Sequence, residues 1–221
     1  MISVLLVDDQ SVVRAGLQVI LESASDIEVI GEASSGPSAV ALAQRLAPDV
    51  VCMDIRMPGG DGIAATRAIV DADLANAPAV LVVTTFDLDE YVFGALEAGA
   101  SGFVLKDADP DDLIDAVRAL ADGRGLVDSA VTRRVIAEFG RRISQPPHDN
   151  AVDVLTPREA DIVRVLAQGR SNAEIAAELF VEPSTVKSHL TRAMAKIGTR
   201  DRLQTVVWAY QHGLARLDSS P

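Results

Sequence analysis

Asp54 closes the apolar run Val50-Val51-Cys52-Met53, and the pair Asp8-Asp9 closes another, Val4-Leu5-Leu6-Val7. Short apolar runs bounded by turn residues read as buried strands of a parallel sheet. Both acidic groups therefore stand where a strand passes into a loop, and Asp54 is expected at an exposed strand end. If the two strands are neighbours, three carboxylates share one cleft, and like charges that close raise one another's pKa unless a cation relieves them. A hard divalent ion with oxygen ligands, Mg²⁺ in most cells, suits such a cluster. A carboxylate oxygen left over can attack phosphorus, as aspartyl-phosphate enzymes do. Two more strand ends supply partners for a phosphoryl group. Thr84 follows Val80–Val83 and offers a hydroxyl donor, and Lys106 follows Phe103–Leu105 and offers an ammonium.

The elements that must position these side chains alternate. Helical spacing over Val12–Leu21 follows the first strand, Ile27–Ile30 reads as a second strand, and Gly36-Pro37 opens a helix ending near Leu46. After Asp54 come a Gly/Pro loop and a helix from about Gly62 to Val70. A helix over Glu90–Glu97 ends at Gly99, and a last one over Pro110–Ala121 closes at Gly123. Five βα units predict an α/β fold, a doubly wound five-stranded parallel sheet with helices on both faces and right-handed crossovers. In such sheets ligands collect at the carboxyl ends of the strands.

Composition separates the two halves. The net charge is −12 overall, yet residues 1–123 hold 6 Lys/Arg against 21 Asp/Glu, a net charge of −15. Residues 124–150 carry +2 and residues 151–221 carry +1. The acidic half cannot face nucleic acid, because phosphates would be repelled. In the tail, Lys187, Arg192, Lys196, Arg200 and Arg202 cluster against Asp201 alone. Nothing resembles a signal peptide, and no apolar run approaches the ~20 residues that span a bilayer, so a cytoplasmic protein without membrane contact is expected. The single cysteine, Cys52, suits a reducing compartment and reads as a small buried hydrophobe.

Between the halves, residues 124–150 read as a linker: one helical pattern over Ser129–Arg142, then the polar, Pro-containing tether Ser144–Asn150. Thr156-Pro157-Arg158-Glu159 combines an N-cap Thr, Pro at the first helical position and Glu at N3, a capping box. Ser171-Asn172-Ala173-Glu174 repeats it. A third helix runs from near Pro183 towards Ile197 until Gly198, and a fourth over Leu203–Tyr210. Val186, Leu190 and Met194 are expected to face the core; Val206, Val207 and Trp208 read either as core or as a dimer face, with Trp208 taken as core. Two short helices joined by a tight turn, the second with polar and basic residues at its N-terminal end, follow the helix-turn-helix plan. His189 and His212 have no partner at metal-ligand spacing.

Residues 1–123, with Asp8-Asp9, Asp54, Thr84 and Lys106, resemble the flavodoxin-like receiver domain of bacterial two-component response regulators. Residues 151–217, with Leu155-Thr156-Pro157-Arg158-Glu159, Ser171-Asn172-Ala173-Glu174-Ile175-Ala176 and Thr185-Val186-Lys187-Ser188-His189, resemble the four-helix LuxR-type DNA-binding domain of NarL/FixJ regulators. The resemblance implies that Asp54 accepts a phosphoryl group from a sensor histidine kinase. It also implies that Asp9, Asp54 and the backbone carbonyl of Arg56 hold Mg²⁺, with Asp8 acting mostly through water. Thr84 and Lys106 would meet the phosphoryl oxygens, and Phe103 stands at the switch aromatic. In the tail it implies that the helix around Ser184–Lys196 enters the major groove of double-stranded DNA. Lys187 would meet bases or phosphates, and Ser188, Thr191 and Arg192 would select sequence. Thr185 and Lys196 would contact phosphates, which position without specifying, and Ser184 would contact DNA beside them. A homodimer on phosphorylation and contact with RNA polymerase are further expectations.

Three positions depart from the family pattern: Gly60 where a Met is common, Glu182 where a Ser usually caps the helix, and Thr191 where some members are basic. A carboxylate at 182 is still expected to cap. The same residues admit three other readings: an Asp-nucleophile phosphohydrolase, a regulator with an inert receiver, and an adaptor without DNA binding. The phosphohydrolase is disfavoured because Arg56, not a second acid, stands two residues past Asp54.

Overall fold

The computed structural model describes residues 1–58, 61–72, 77–84, 90–122 and 154–215. The chain divides into two compact units, Met1–Leu126 and Val127–Pro221. The helix and tether expected within 124–150 lie outside the described residues.

In the first unit, β1 (Ile2–Val7), β2 (Ile27–Ala33), β3 (Val50–Met53), β4 (Ala79–Thr84) and β5 (Gly102–Leu105) form one sheet. All pairings are parallel and the order is β2-β1-β3-β4-β5. Helices α1 (Ser11–Glu22), α2 (Gly36–Leu46), α3 (Asp61–Val70), α4 (Glu90–Glu97) and α5 (Pro110–Ala121) connect the strands and follow the last one. Side chains alternate across a strand, and the core divides accordingly. Val4, Leu6, Val50, Cys52, Leu81 and Val83 pack against Leu21 of α1 and Leu113, Val117 and Leu120 of α5. Leu5, Val7, Val51, Met53 and Val80 pack on the other face, against Ala39 and Ala43 of α2 and Ala65 and Ile69 of α3. With both faces covered, the inner strands must be apolar throughout, and β3 is buried at all four residues.

The strand order reverses between β1 and β3. Val7 lies opposite Met53, Met53 opposite Val82, and Thr84 opposite Leu105. Asp8 therefore lies level with Asp54, while Thr84 and Lys106 stand one and two residues further along their strands. A crevice at such a reversal is where open α/β sheets bind ligands. Cys52 lies in the core, and burial pushes its thiol up to about 12. It packs as the small apolar residue expected.

The second unit contains α6 (Pro157–Leu166), α7 (Asn172–Glu178), α8 (Pro183–Ile197) and α9 (Arg202–Gln211). Both capping boxes form: Thr156 with Glu159 opens α6, and Ser171 with Glu174 opens α7. Gly198 ends α8 in the left-handed region at φ 72°, which glycine adopts without the cost of a Cβ. Ile162, Leu166, Ile175, Val186, Leu203 and Val206 are buried between the helices, and the Tyr210 hydroxyl donates to the Ala167 carbonyl at 2.9 Å.

Three expectations need correction here. Glu182 precedes α8 with extended backbone, yet its side chain makes no capping hydrogen bond. Its main-chain carbonyl instead accepts the Thr185 and Val186 amides. Met194 is only half-buried, and the inward position on that turn belongs to Ala193. Trp208 is also half-buried, stacked on His212 with ring centroids 4.5 Å apart and planes at 19°. One face of the indole meets a neighbouring ring at the edge of the core.

Candidate functional site

Asp8 and Asp54 are carried past the ends of β1 and β3 by backbone bonds. The Asp8 amide donates to the Ala33 carbonyl at 3.1 Å, and the Asp54 amide to the Val7 carbonyl at 2.8 Å. Lys106 arrives from the end of β5, its amide donating to the Thr84 carbonyl at 2.7 Å. One carboxylate oxygen from each of Asp8, Asp9 and Asp54 lies within 4.8 Å of the others. Among the described residues, no other group of three His, Cys, Asp or Glu side chains offers such a set. An all-oxygen donor set of this charge fits a hard divalent cation.

The Lys106 ammonium sits across two of the three acids. It donates to Asp8 Oδ2 at 2.5 Å and to Asp54 Oδ2 at 3.0 Å. Burial pulls its pKa down, but the hydrogen bonds to Asp8 and Asp54 outweigh it and the net effect is upward. Lys106 is therefore a built-in counter-ion at neutral pH. It balances one charge of three and leaves a surplus of negative charge for a second cation.

Asp54 is not at an exposed strand end, contrary to expectation: it is 4% exposed and Asp8 is 1% exposed. The strand does end there, but Lys106, 52 residues further along the chain, lies over the carboxylate. Asp9 is the most open of the three. Thr84 is buried at the end of β4, and Phe103 is half-buried on β5. Arg56 is exposed; its backbone amide donates to Asp54 Oδ1 at 3.2 Å, which orients the acid.

Two contributors to this pocket escaped the sequence reading. Arg14 donates from Nη1 to the Asp8 carbonyl at 2.7 Å and from Nε to Glu32 at 2.6 Å, pinning the acidic loop between α1 and β2. Gly62, in the first turn of α3, presses its Cα against the Asp54–Ile55 backbone. A Cβ there would overlap the Asp54 carbonyl oxygen and the Ile55 Cα. Asp61-Gly62 after a Pro/Gly loop marks a turn in sequence, but the backbone contact is not visible from it.

In the second unit, Ser184, Lys187, Ser188, Thr191 and Arg192 are exposed on α8, and Thr185 is half-buried. The Ser188 and Thr191 hydroxyls donate to the Ser184 and Lys187 carbonyls, each at 3.0 Å, and Arg192 Nε donates to the Ser188 carbonyl at 3.2 Å. These groups lie folded along their own helix. Lys196 has a different partner: its ammonium donates to Glu159 Oε2 at 2.6 Å.

Comparison with known proteins agrees with both units. Residues 4–118 match the family described as response regulator receiver domain, and residues 153–209 match the bacterial regulatory proteins of the luxR family. The chain belongs to the response regulators, with a receiver domain followed by a LuxR-type DNA-binding domain. It is 40% identical to the uncharacterized transcriptional regulatory protein YxjL of Bacillus subtilis over 97% of this chain and 98% of that protein. It is 41% identical to the transcriptional regulatory protein LiaR of the same organism, over 97% of this chain and 99% of that one. Among solved structures it resembles the response regulator ChrA of a heme-sensing two-component system at a TM-score of 0.52, with 41% identity over 96% of this chain and 98% of that one. It also resembles an RcsB response regulator in complex with DNA, at a TM-score of 0.55 and 26% identity over 94% of this chain and 98% of that one. The chain is thus a DNA-binding transcription regulator and not an enzyme.

Proposed function

We propose that this response regulator is switched by phosphorylation of Asp54, and that the switch controls DNA binding through α8. The observation that carries this reading is the pocket itself. Lys106 is bonded to both Asp8 and Asp54, and a third acid, Asp9, lies within 4.8 Å. Mg²⁺ held by the Asp9 and Asp54 carboxylates and the Arg56 backbone carbonyl, with Asp8 as an outer acid, would neutralise the surplus charge and that of an incoming phosphoryl group.

An Asp54 oxygen attacks the phosphorus of a phosphohistidine on a sensor kinase. The P–N bond breaks as the O–P bond forms, and the imidazole leaves. Lys106 then turns its ammonium to the phosphoryl oxygens and Thr84 donates its hydroxyl to another. Phe103 moves into the space that Thr84 vacates. The face formed by α4, β5 and α5 changes shape, which favours a homodimer and frees the DNA-binding domain. Residues 1–123 act as the receiver, 124–150 as the joint and 151–217 as the DNA reader, in the cytoplasm.

On DNA, Lys187 meets bases or phosphates, while Ser188, Thr191 and Arg192 select sequence once their hydrogen bonds along the helix are exchanged. Thr185 lies against the phosphate backbone, which positions without specifying, and Ser184 contacts DNA beside it. RNA polymerase is a further partner once the operator is occupied. The test is solution mass and duplex-DNA binding, each with and without a small phosphodonor plus Mg²⁺. The treated parent should gain in both, and Asp54→Asn in neither. An equal response from the variant would overturn the reading.

A further inference from the structure

Thr156-Pro157-Arg158-Glu159 starts a helix, and that local role accounts for its backbone. It does not account for where two of its side chains go. Glu159 Oε2 accepts the Thr156 amide at 2.8 Å and the Lys196 ammonium at 2.6 Å, and the carboxylate side chain is only 3% exposed. Arg158 Nη2 donates to the Leu179 carbonyl at 2.9 Å, at the C-cap of α7. One four-residue motif is therefore bonded to the end of the first helix of the helix-turn-helix and to the last turn of the second.

The charge balance at Glu159 matters as much as the tether. Burial alone would raise the carboxyl, but the hydrogen bonds from Lys196 and Thr156 hold it at about 2. It is therefore an anion throughout the physiological range, and Lys196 is its cation. For a DNA phosphate to take that ammonium, Glu159 would have to stay charged, buried and without its cation. The carboxylate is the buried partner, its side chain 3% exposed against 36% for the lysine. It is the group left uncompensated when the pair is broken, which is the costly direction.

We propose that Glu159 is a positioning residue for DNA recognition, and that it withholds Lys196 from the phosphate backbone. Lys196 fastens α8 to α6 and is not a DNA contact. This inference rests on the reading that α8 carries the DNA interface.

The test uses the full chain and a random-sequence DNA duplex, measuring how log K falls with log salt. Each phosphate neutralised contributes about 0.9 to that slope. The double variant Glu159→Gln with Lys196→Met removes both charges and leaves none buried alone. It should keep the parent slope, as should Lys196→Arg, which retains the pair. Glu159→Gln alone frees the ammonium and should steepen the slope by about 0.9. A double variant whose slope falls by about 0.9, or a single variant with an unchanged slope, would overturn the inference. Lys187→Ala separates the two readings. If it flattens the slope by about 0.9 while the pair variants misbehave, only the role of Glu159 is wrong. If it changes nothing, the DNA face is misassigned and the inference falls with it.

Discussion

Each unit joins a lysine to a buried carboxylate, and the two arrangements differ in their charge balance. In the receiver, Lys106 serves Asp8 and Asp54 with Asp9 close by, one cation against three anions. In the DNA-binding domain, Lys196 serves Glu159 alone. The balanced pair has its charge requirement met and acts as a tie between helices. The unbalanced cluster still favours a second cation, and its lysine has two partners to exchange for a third. Ion pairs of similar length, 2.5 and 3.0 Å at Lys106 and 2.6 Å at Lys196, can thus mean fastening in one place and readiness to bind in another; the count of charges decides which.

The largest effect should come from breaking each arrangement at its lysine. Lys196→Met leaves the buried Glu159 carboxylate with the Thr156 amide but no cation, which costs about 3 kcal/mol, the low end for a buried pair because the lysine is partly exposed. Urea unfolding followed by the fluorescence of Trp208, the only tryptophan of the chain, should show this loss, unchanged by Mg²⁺. Lys106→Met should also destabilise its unit, but there Mg²⁺ should restore stability by mass action, about 2.7 kcal/mol at a hundredfold excess over its Kd. Circular dichroism melts of that variant with and without Mg²⁺ check it. A Mg²⁺ response at both lysines, or at neither, would erase the distinction.

Next in size is the backbone contact that seats Asp54. Gly62→Ala should cost about 1–3 kcal/mol through overpacking and slow phosphoryl uptake, measured by thermal melts and phosphodonor labelling.

A pH titration separates the two regions by sign. The Glu159 carboxyl lies below its ordinary value of 4.5, at about 2. Its contribution is therefore full above 4.5 and lost as pH falls towards 2. After discounting for the partly exposed ammonium, it amounts to on the order of 2 kcal/mol. The Trp208-reported stability of the parent should fall over that window relative to Glu159→Gln. Lys106 is raised above 10.5, so its contribution is full below 10.5 and lost only as pH climbs through the raised value. Acid should loosen the fastening and alkali the pocket.

The smallest effect belongs to Lys187, on the open face of α8. Lys187→Ala should reduce the salt slope of duplex binding by about 0.9 with no change in unfolding midpoint.

What was legible in the sequence was local. Apolar runs ending in Asp8, Asp54, Thr84 and Lys106 marked four strand ends, and the parallel register brings them to within two residues of one level. The capping boxes at Thr156 and Ser171 were legible because both partners lie three residues apart. The burial of Asp54 was not, because its cover comes from Lys106 on a different strand. Nor was the partner of Lys196, 37 residues away on another helix, or the contact of Gly62, which involves no side chain of its own. Glu182 shows the opposite limit: a residue type able to cap, in the right position, that makes no capping bond. Trp208 stands at the core's edge because His212, one turn on, offers its ring as a partner.

The most direct test of the pocket is the intact mass of the full chain after incubation with acetyl phosphate, with and without Mg²⁺. The parent should gain one phosphoryl group only when Mg²⁺ is present, and Asp54→Asn should gain none. A variant that takes up the group as the parent does, or a parent that never does, would contradict an acidic pocket built to accept phosphate at Asp54.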